Sequence, residues 1–271
     1  MATIAETSGG SGREVSIGRV FERAFGTLRA NPGATLGIAF LCGALPGVVL
    51  NYFITRYQFS LMPRIGTWGV VGFALLSMVV AIILYAITQG ALVRATVAHS
   101  EGKESSFADS IMAGLSVILP LVAAGVLSAL GIGFAMVLLI VPGVMLYCVW
   151  AVVAPVVVEE RRGPIAALSR SAELTRGARW KVFGTLLLLL VAYWIFSAVV
   201  GGVLISLVGL RGMSANVALA NGGFPFAFYA FSAVTQTIVS CIWGLVLAAL
   251  YVELREWKDG PRTETLAEVF G

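Results

Sequence analysis

The sequence predicts an all-α, polytopic transmembrane bundle of six spans, and three observations carry that prediction. Six apolar stretches approach or exceed the roughly 20 residues a helix needs to cross a bilayer. Charged residues make up 12% of the chain against 59% hydrophobic ones, about half the charge of an ordinary soluble domain. The charges present fall between the apolar stretches, so lipid rather than water is the solvent that suits the surface. Mean hydropathy is +0.94. The 31 glycines suit close helix approach in a bilayer, where small residues do the packing.

In chain order, residues 1–14 are small and polar without an apolar signal-peptide core, and read as a disordered cytoplasmic tail. Residues 15–256 form a single transmembrane domain. From Ile17 to Leu28, the apolar side chains Ile17, Val20, Phe21, Ala24, Phe25 and Leu28 share one helical face, and Arg19, Glu22, Arg23 and Arg29 the other. That pattern predicts an interfacial amphipathic helix feeding the first span. The spans are expected near 34–55, 67–93, 115–139, 141–158, 182–208 and 228–252. The third and fourth are parted only by Val141-Pro142-Gly143, which predicts a tight hairpin.

A second surface helix is expected from Ser106-Phe107-Ala108-Asp109, a cap-like start followed by Ile111 and Ile118 in rough helical phase. A third starts at Gly163-Pro164, with Leu174 opposite Ile165 and Leu168 on its face. Residues 257–271 are read as a cytoplasmic tail with a short helix around Leu266, Val269 and Phe270. The unit of surface helix, span and span then occurs three times, which suggests a threefold repeat of helical hairpins.

Orientation follows from the basic residues. With the N-terminus inside, fifteen of the eighteen lysines and arginines lie on the cytoplasmic side, and only Arg56, Arg64 and Arg211 lie outside. The positive-inside rule therefore predicts both termini in the cytoplasm. The net charge of +4 sits at span ends, which argues for anionic lipid headgroups and against nucleic acid as the partner. Trp68, Trp180, Tyr229 and Trp257 also lie near span ends, the level that amphipathic rings favour.

Residues 138–189, LLIVPGVMLYCVWAVVAPVVVEERRGPIAALSRSAELTRGARWKVFGTLLLL, carry a recognisable pattern. Its elements are Pro142-Gly143, Trp150, Pro155, Glu159, Gly163, the Ala167-Leu168-x-Arg170-Ser171 run and Leu174-Thr175-x-Gly177. The pattern resembles the membrane domain of glycerophosphoryl diester phosphodiesterases and of related bacterial six-span proteins. It covers about a fifth of the chain and implies a bacterial inner-membrane location. In those enzymes the chemistry belongs to a separate soluble barrel with paired histidines and carboxylates, so no active-site residue carries over.

No catalytic set is legible. The one histidine, His99, beside Ser100 and Glu101, reads as a solvated residue, since one imidazole builds neither a metal site nor a relay. Glu159-Glu160 and Arg161-Arg162 are sequence neighbours that do not face each other on a helix, and read as a topology anchor. Cys42, Cys148 and Cys241 lie within apolar runs, without metal-ligand spacing. Gly201-Gly202 and Gly222-Gly223 lack the context of a phosphate loop. No enzyme activity, cofactor or metal is expected.

Two sets of candidate binding residues remain. Arg161, Arg162, Arg170, Arg176, Arg179 and Lys181 rim one inner loop and are candidate contacts for phosphate-bearing lipid headgroups, anionic phospholipids above all. Asn51, Gln89, Thr235, Gln236, Thr237 and Ser240 are polar groups within spans. They serve as interhelical hydrogen-bonding groups or as the polar lining of a path, with Gln236 the leading lining candidate. The expectation is a non-enzymatic protein that binds, organises or moves lipids or scaffolds a partner membrane enzyme, alone or as a homo-oligomer. The alternative is a transporter or channel for a small uncharged solute, consistent with spans that carry no ionisable residue near mid-membrane.

Overall fold

A computed structural model describes residues 14–100, 112, 115–212, 224 and 226–260. Among these, every regular element is a helix. The chain begins with α1 (Ile17–Ala30) and α2 (Pro32–Ile38), followed by a π-helical turn at Ala39–Ala44. Pro46 explains that turn, because its ring nitrogen cannot donate to the carbonyl four residues back. The helical run α3 (Leu45–Ser100) is interrupted at Gly66, whose φ of 60° lets the backbone leave helical geometry. Then follow α4 (Ile118–Leu138), α5 (Ile140–Val149), α6 (Val153–Glu160), α7 (Pro164–Thr175), α8 (Arg179–Gly212) and α9 (Phe226–Asp259).

Six segments are long and apolar enough to span a membrane: Pro32–Phe53, Val71–His99, Ile118–Leu138, Ile140–Glu160, Arg179–Ser206 and Phe226–Asp259. Each coincides with an expected span. The last runs on to Asp259, past the end expected for that span at 252.

Its place in the bundle is central. In its apolar window 67% of residues are buried, against 11% in Ile118–Leu138 and in Arg179–Ser206. All residues from Gly244 to Leu254 are buried, so this stretch meets protein on every side. Around it pack Val20 and Ala24 of α1, Leu92 and Val97 of α3, Val156 of α6, Leu174 of α7 and Val182 of α8. The core therefore sits at the end of the bundle that carries the charged segments. The opposite end exposes large apolar side chains such as Leu76, Leu130, Val137 and Ile195, as a lipid-facing surface does.

The expected hairpin exists, but its break lies elsewhere. Leu139 alone is extended (φ −159°, ψ 137°), and Pro142 and Gly143 lie in the first turn of α5. A proline is harmless there, because first-turn N–H groups have no intrahelical acceptor. Gly143 is needed for proximity, since an added Cβ would come within 2.9 Å of the Met136 backbone.

The fourth span is also not one helix. It is interrupted between α5 and α6 at Trp150–Val152, where the Val153 N–H donates to the Trp150 carbonyl instead of to that of Val149. The freed Val149 carbonyl accepts a hydrogen bond from Ser171 Oγ of α7 (2.9 Å), and Thr175 Oγ1, which donates to the Ser171 carbonyl at 2.9 Å, lies 3.3 Å away as a reserve donor. A carbonyl left bare in an apolar setting costs several kcal/mol, so α7 is what makes the interruption tolerable. Pro155 sits in the first turn of α6, which accounts for a helix that stops and restarts just before it.

The surface helices differ in detail from expectation. On α1 the buried residues are Val20, Ala24 and Thr27, while Phe25 is exposed and the arginines Arg19 and Arg23 turn toward α9. On α7 the buried stripe is Ala167, Ser171, Leu174 and Thr175, with Ile165 exposed, so Leu174 marks the packed face. The helix expected from Ser106, the terminal helix near Leu266 and the loop around Gly222-Gly223 lie outside the described residues. Surface helix, span and span are seen in the first and third units of the expected repeat.

Candidate functional site

Between α7 and α8 the chain turns at Arg176-Gly177-Ala178. Gly177 adopts φ +94°, a left-handed conformation, and an added Cβ would lie 3.0 Å from the Trp257 ring. Glycine is the residue that fits both conditions. The turn is closed by the Ala178 N–H donating to the Thr175 carbonyl and the Lys181 N–H to that of Ala178. It leaves Arg176, Arg179 and Trp180 exposed at the entrance to α8. Neither arginine forms an ion pair among the described residues.

Beside this turn runs an open groove of about 920 Å³ between α5 and α8. Its walls are apolar: Val141, Val144, Met145 and Cys148 on one side, Trp180 and Phe183 on the other. The two rings meet edge to face at 6.1 Å. Arg176 and Arg179 belong to the same groove. An apolar trough with two guanidiniums that have no carboxylate partner among the described residues suits an amphiphile with an anionic head, the cations meeting phosphate and the trough an acyl chain.

The remaining candidate cations are placed differently. Arg170, at 11% side-chain exposure, is held by Glu160 (3.2 Å), Glu173 (3.1 Å) and Asp259. Burial disfavours its charged form, but hydrogen bonds to Glu173 and Glu160 outweigh that and raise its pKa above the ordinary arginine value. Its charge is thus already matched within the protein. Arg162 pairs with Glu160 at 2.7 Å, and Lys181 with Glu14 at 2.7 Å. Arg161 closes α6 in a left-handed conformation (φ 49°).

Glu159 and Glu160 point to different partners, as their adjacency on a helix requires. Glu160 receives the Tyr251 hydroxyl (3.3 Å) as well as Arg170 and Arg162. Glu159 faces Arg94 at 3.6 Å, and its Oε1 is buried without a hydrogen bond among the described residues. A second ionic cluster escaped sequence reasoning. Glu253, 4% exposed, accepts from Arg19 Nε (2.8 Å) and from the Ser16 N–H (3.2 Å), while Arg23 grips Glu256. The signal was present: arginines four apart on α1 and glutamates three apart on α9 each form one helical face. Together the pairs Arg23–Glu256, Lys181–Glu14 and Arg170–Asp259 gather both ends of the described chain at one end of the bundle.

The intramembrane polar residues do not converge on one lining. Thr235 and Thr237 donate to carbonyls four residues back and Ser240 to one three back, so their hydroxyls are satisfied within α9. Gln236 and Asn51 are exposed on the bundle surface. Gln89 lines a cavity of about 390 Å³ between α3, α4, α5–α6 and α9. His99 is exposed near Gly26 of α1. Cys148 and Cys241 are buried, and Cys42 is half-buried.

No family model, curated protein or solved structure matches this chain. The resemblance therefore rests on the 138–189 pattern itself. Its residues occupy one connected region: Pro142-Gly143 and Pro155 in the first turns of α5 and α6, Trp150 in the interruption, Ser171 on the Val149 carbonyl with Thr175 beside it, Gly177 in the turn beside the groove.

Proposed function

We propose that the protein binds anionic phospholipid in the groove between α5 and α8, and through it organises or moves lipids or supports a partner membrane enzyme, without catalysing a reaction itself. The observation that carries this reading is the pair Arg176 and Arg179, free of carboxylate partners among the described residues and lining a trough whose other walls are apolar. Juxtamembrane cations gain about 1 kcal/mol each from anionic lipid, so the pair supplies roughly 2 kcal/mol, about thirtyfold in affinity. The exposed Trp180 ring suits the headgroup level of the bilayer. The location proposed is a bacterial inner membrane with both ends cytoplasmic. The basic bias of the loops supports this, and so does the resemblance to six-span membrane domains.

The test is native mass spectrometry of the purified protein with phosphatidylglycerol and phosphatidylcholine, comparing wild type with Arg176→Ala/Arg179→Ala. Retention of phosphatidylglycerol by the wild type, and its loss from a variant of unchanged thermal stability, is the expected result. Equal retention of both lipids by both proteins would reduce the two arginines to a topology signal. Arg170→Ala is unsuited to this purpose, because it strips Glu160, Glu173 and Asp259 of their partner.

A further inference from the structure

Gln89 of α3 is only 2% exposed, and its side-chain Nε2 is buried without a hydrogen-bond partner among the described residues. A buried amide that leaves a hydrogen bond unmade destabilises the fold, a cost that a leucine at this position would not incur. The amide is not sealed in solid packing. It lines the cavity of about 390 Å³ that lies between the second, third, fourth and sixth spans.

The other walls define what fits there. Among the described residues, four aromatic side chains, Tyr85, Tyr147, Trp150 and Trp243, surround it, and no Asp, Glu, Lys or Arg lines it. Trp150 sits in the interruption of the fourth span against Gly131, where an added Cβ would meet its ring at 2.5 Å. The Ser128 hydroxyl donates to the Ala124 carbonyl at 2.7 Å, so its proton is already used. Tyr85, Gly125 and Ala129 line the cavity and are exposed on the flank of the bundle, which puts the entrance on the side that faces lipid. An occupant thus arrives from the membrane. It carries no charge, presents flat apolar surface to aromatic rings, and offers an oxygen that accepts from Gln89.

We propose that this cavity is a binding site for a neutral, lipid-soluble ring compound bearing a carbonyl oxygen, with Gln89 Nε2 as the donor that recognises it. The site is separate from the Arg176–Arg179 groove, which lies against other residues of α5, and it stands whether or not that groove holds phospholipid.

The test uses the full-length chain in phosphatidylcholine nanodiscs, with benzophenone as a photoreactive ligand and peptide mass spectrometry to locate the adducts. Adducts are expected on the segments 82–89 and 147–154. Fluorenone should compete for them at least tenfold better than fluorene, the same ring system without the oxygen, and Gln89→Leu should erase that preference. Gly125→Phe should abolish the adducts by filling the cavity, with Ala129→Phe as the second filling variant where the first does not fold. Adducts scattered over the lipid-facing helices, adducts that survive both filling variants, or equal competition by fluorenone and fluorene would each overturn the assignment. The last outcome would mean that the amide is met by water or lipid and selects nothing.

Discussion

The Arg23 guanidinium meets the Glu256 carboxylate through two hydrogen bonds, Nη1 to Oε1 at 2.8 Å and Nη2 to Oε2 at 2.5 Å, across 233 positions of sequence. This bidentate grip joins α1 to the C-terminal end of the central helix. The hydrogen bond to Glu256 raises the Arg23 pKa against the opposing effect of burial. One turn away, Glu253 takes Arg19 and the Ser16 N–H with only 4% of its side chain exposed. The two glutamates differ in what their removal strands. Glu253→Ala leaves half-buried Arg19 without its carboxylate and should cost about 1–3 kcal/mol. Glu256→Ala, from a side chain 31% exposed, should cost about 1 kcal/mol or less. Thermal unfolding in one mild detergent ranks them. The reverse order would show that Glu253 does not anchor α1.

The Val149 carbonyl takes the Ser171 hydroxyl at 2.9 Å, and Thr175 Oγ1, which donates to the Ser171 carbonyl, stands 3.3 Å away as a reserve, so the sequence carries a redundancy that double substitution exposes. Ser171→Ala or Thr175→Val alone leaves one donor and should cost about 0.6 kcal/mol, the usual size of a hydrogen bond between helices in a membrane. Together they orphan a carbonyl in the interrupted span, and about 2–3 kcal/mol should be lost, more than the sum of the singles. Additive effects in a double-mutant cycle would mean that water satisfies Val149 and that α7 does not support the break.

The spans were legible because each is a local run of apolar residues, with window hydropathies of 1.9 to 2.5. Their neighbours were not. Lipid and protein are equally apolar surroundings for a leucine, so nothing in composition shows that Phe226–Asp259 is the helix buried on every side. The same blindness misplaced Gln236, which stood out in sequence as a lining residue and lies exposed on the outer face of α9. Arg170 looked as available as Arg176, since its partner Asp259 is 89 positions away and only the fold brings them together. The interruption at Trp150–Val152 had one local cue, Pro155 within an apolar run, which is easily read as an ordinary kink. Arg176 and Arg179 were legible as cations. That they adjoin an apolar groove depends on the turn at Gly177.

Acid should loosen the start of the described chain. Glu14 accepts a hydrogen bond from Lys181, and this bond together with the lysine's charge holds its carboxyl below the usual value. A depressed carboxyl pKa contributes stability that is fully present above the unfolded value and is lost as pH falls through the folded one. Wild type should therefore exceed Glu14→Gln in thermal stability at pH 7 by a small, salt-sensitive margin that vanishes toward pH 3. A margin that persists in acid would place the contribution of Glu14 in packing and not in charge.

Two glycines of the α4–α5 hairpin offer a matched comparison of packing. At Gly143 an added Cβ lies 2.9 Å from both the backbone nitrogen and Cα of Met136, atoms that belong to a helix and cannot rotate away. At Gly133 nothing lies within 4 Å. Gly143→Ala must push α4 and α5 apart and should cost about 1–3 kcal/mol, as overpacking generally does. Gly133→Ala should be neutral or stabilise by a few tenths of a kcal/mol up to about 1, because alanine is the better helix former. Because α5 also walls the groove, the displaced helix in Gly143→Ala should weaken phosphatidylglycerol retention while Gly133→Ala leaves it intact, read by the same native mass spectrometry. A destabilised Gly143→Ala that retains lipid at the wild-type level would separate the hairpin's packing from the groove and remove α5 from the lipid site.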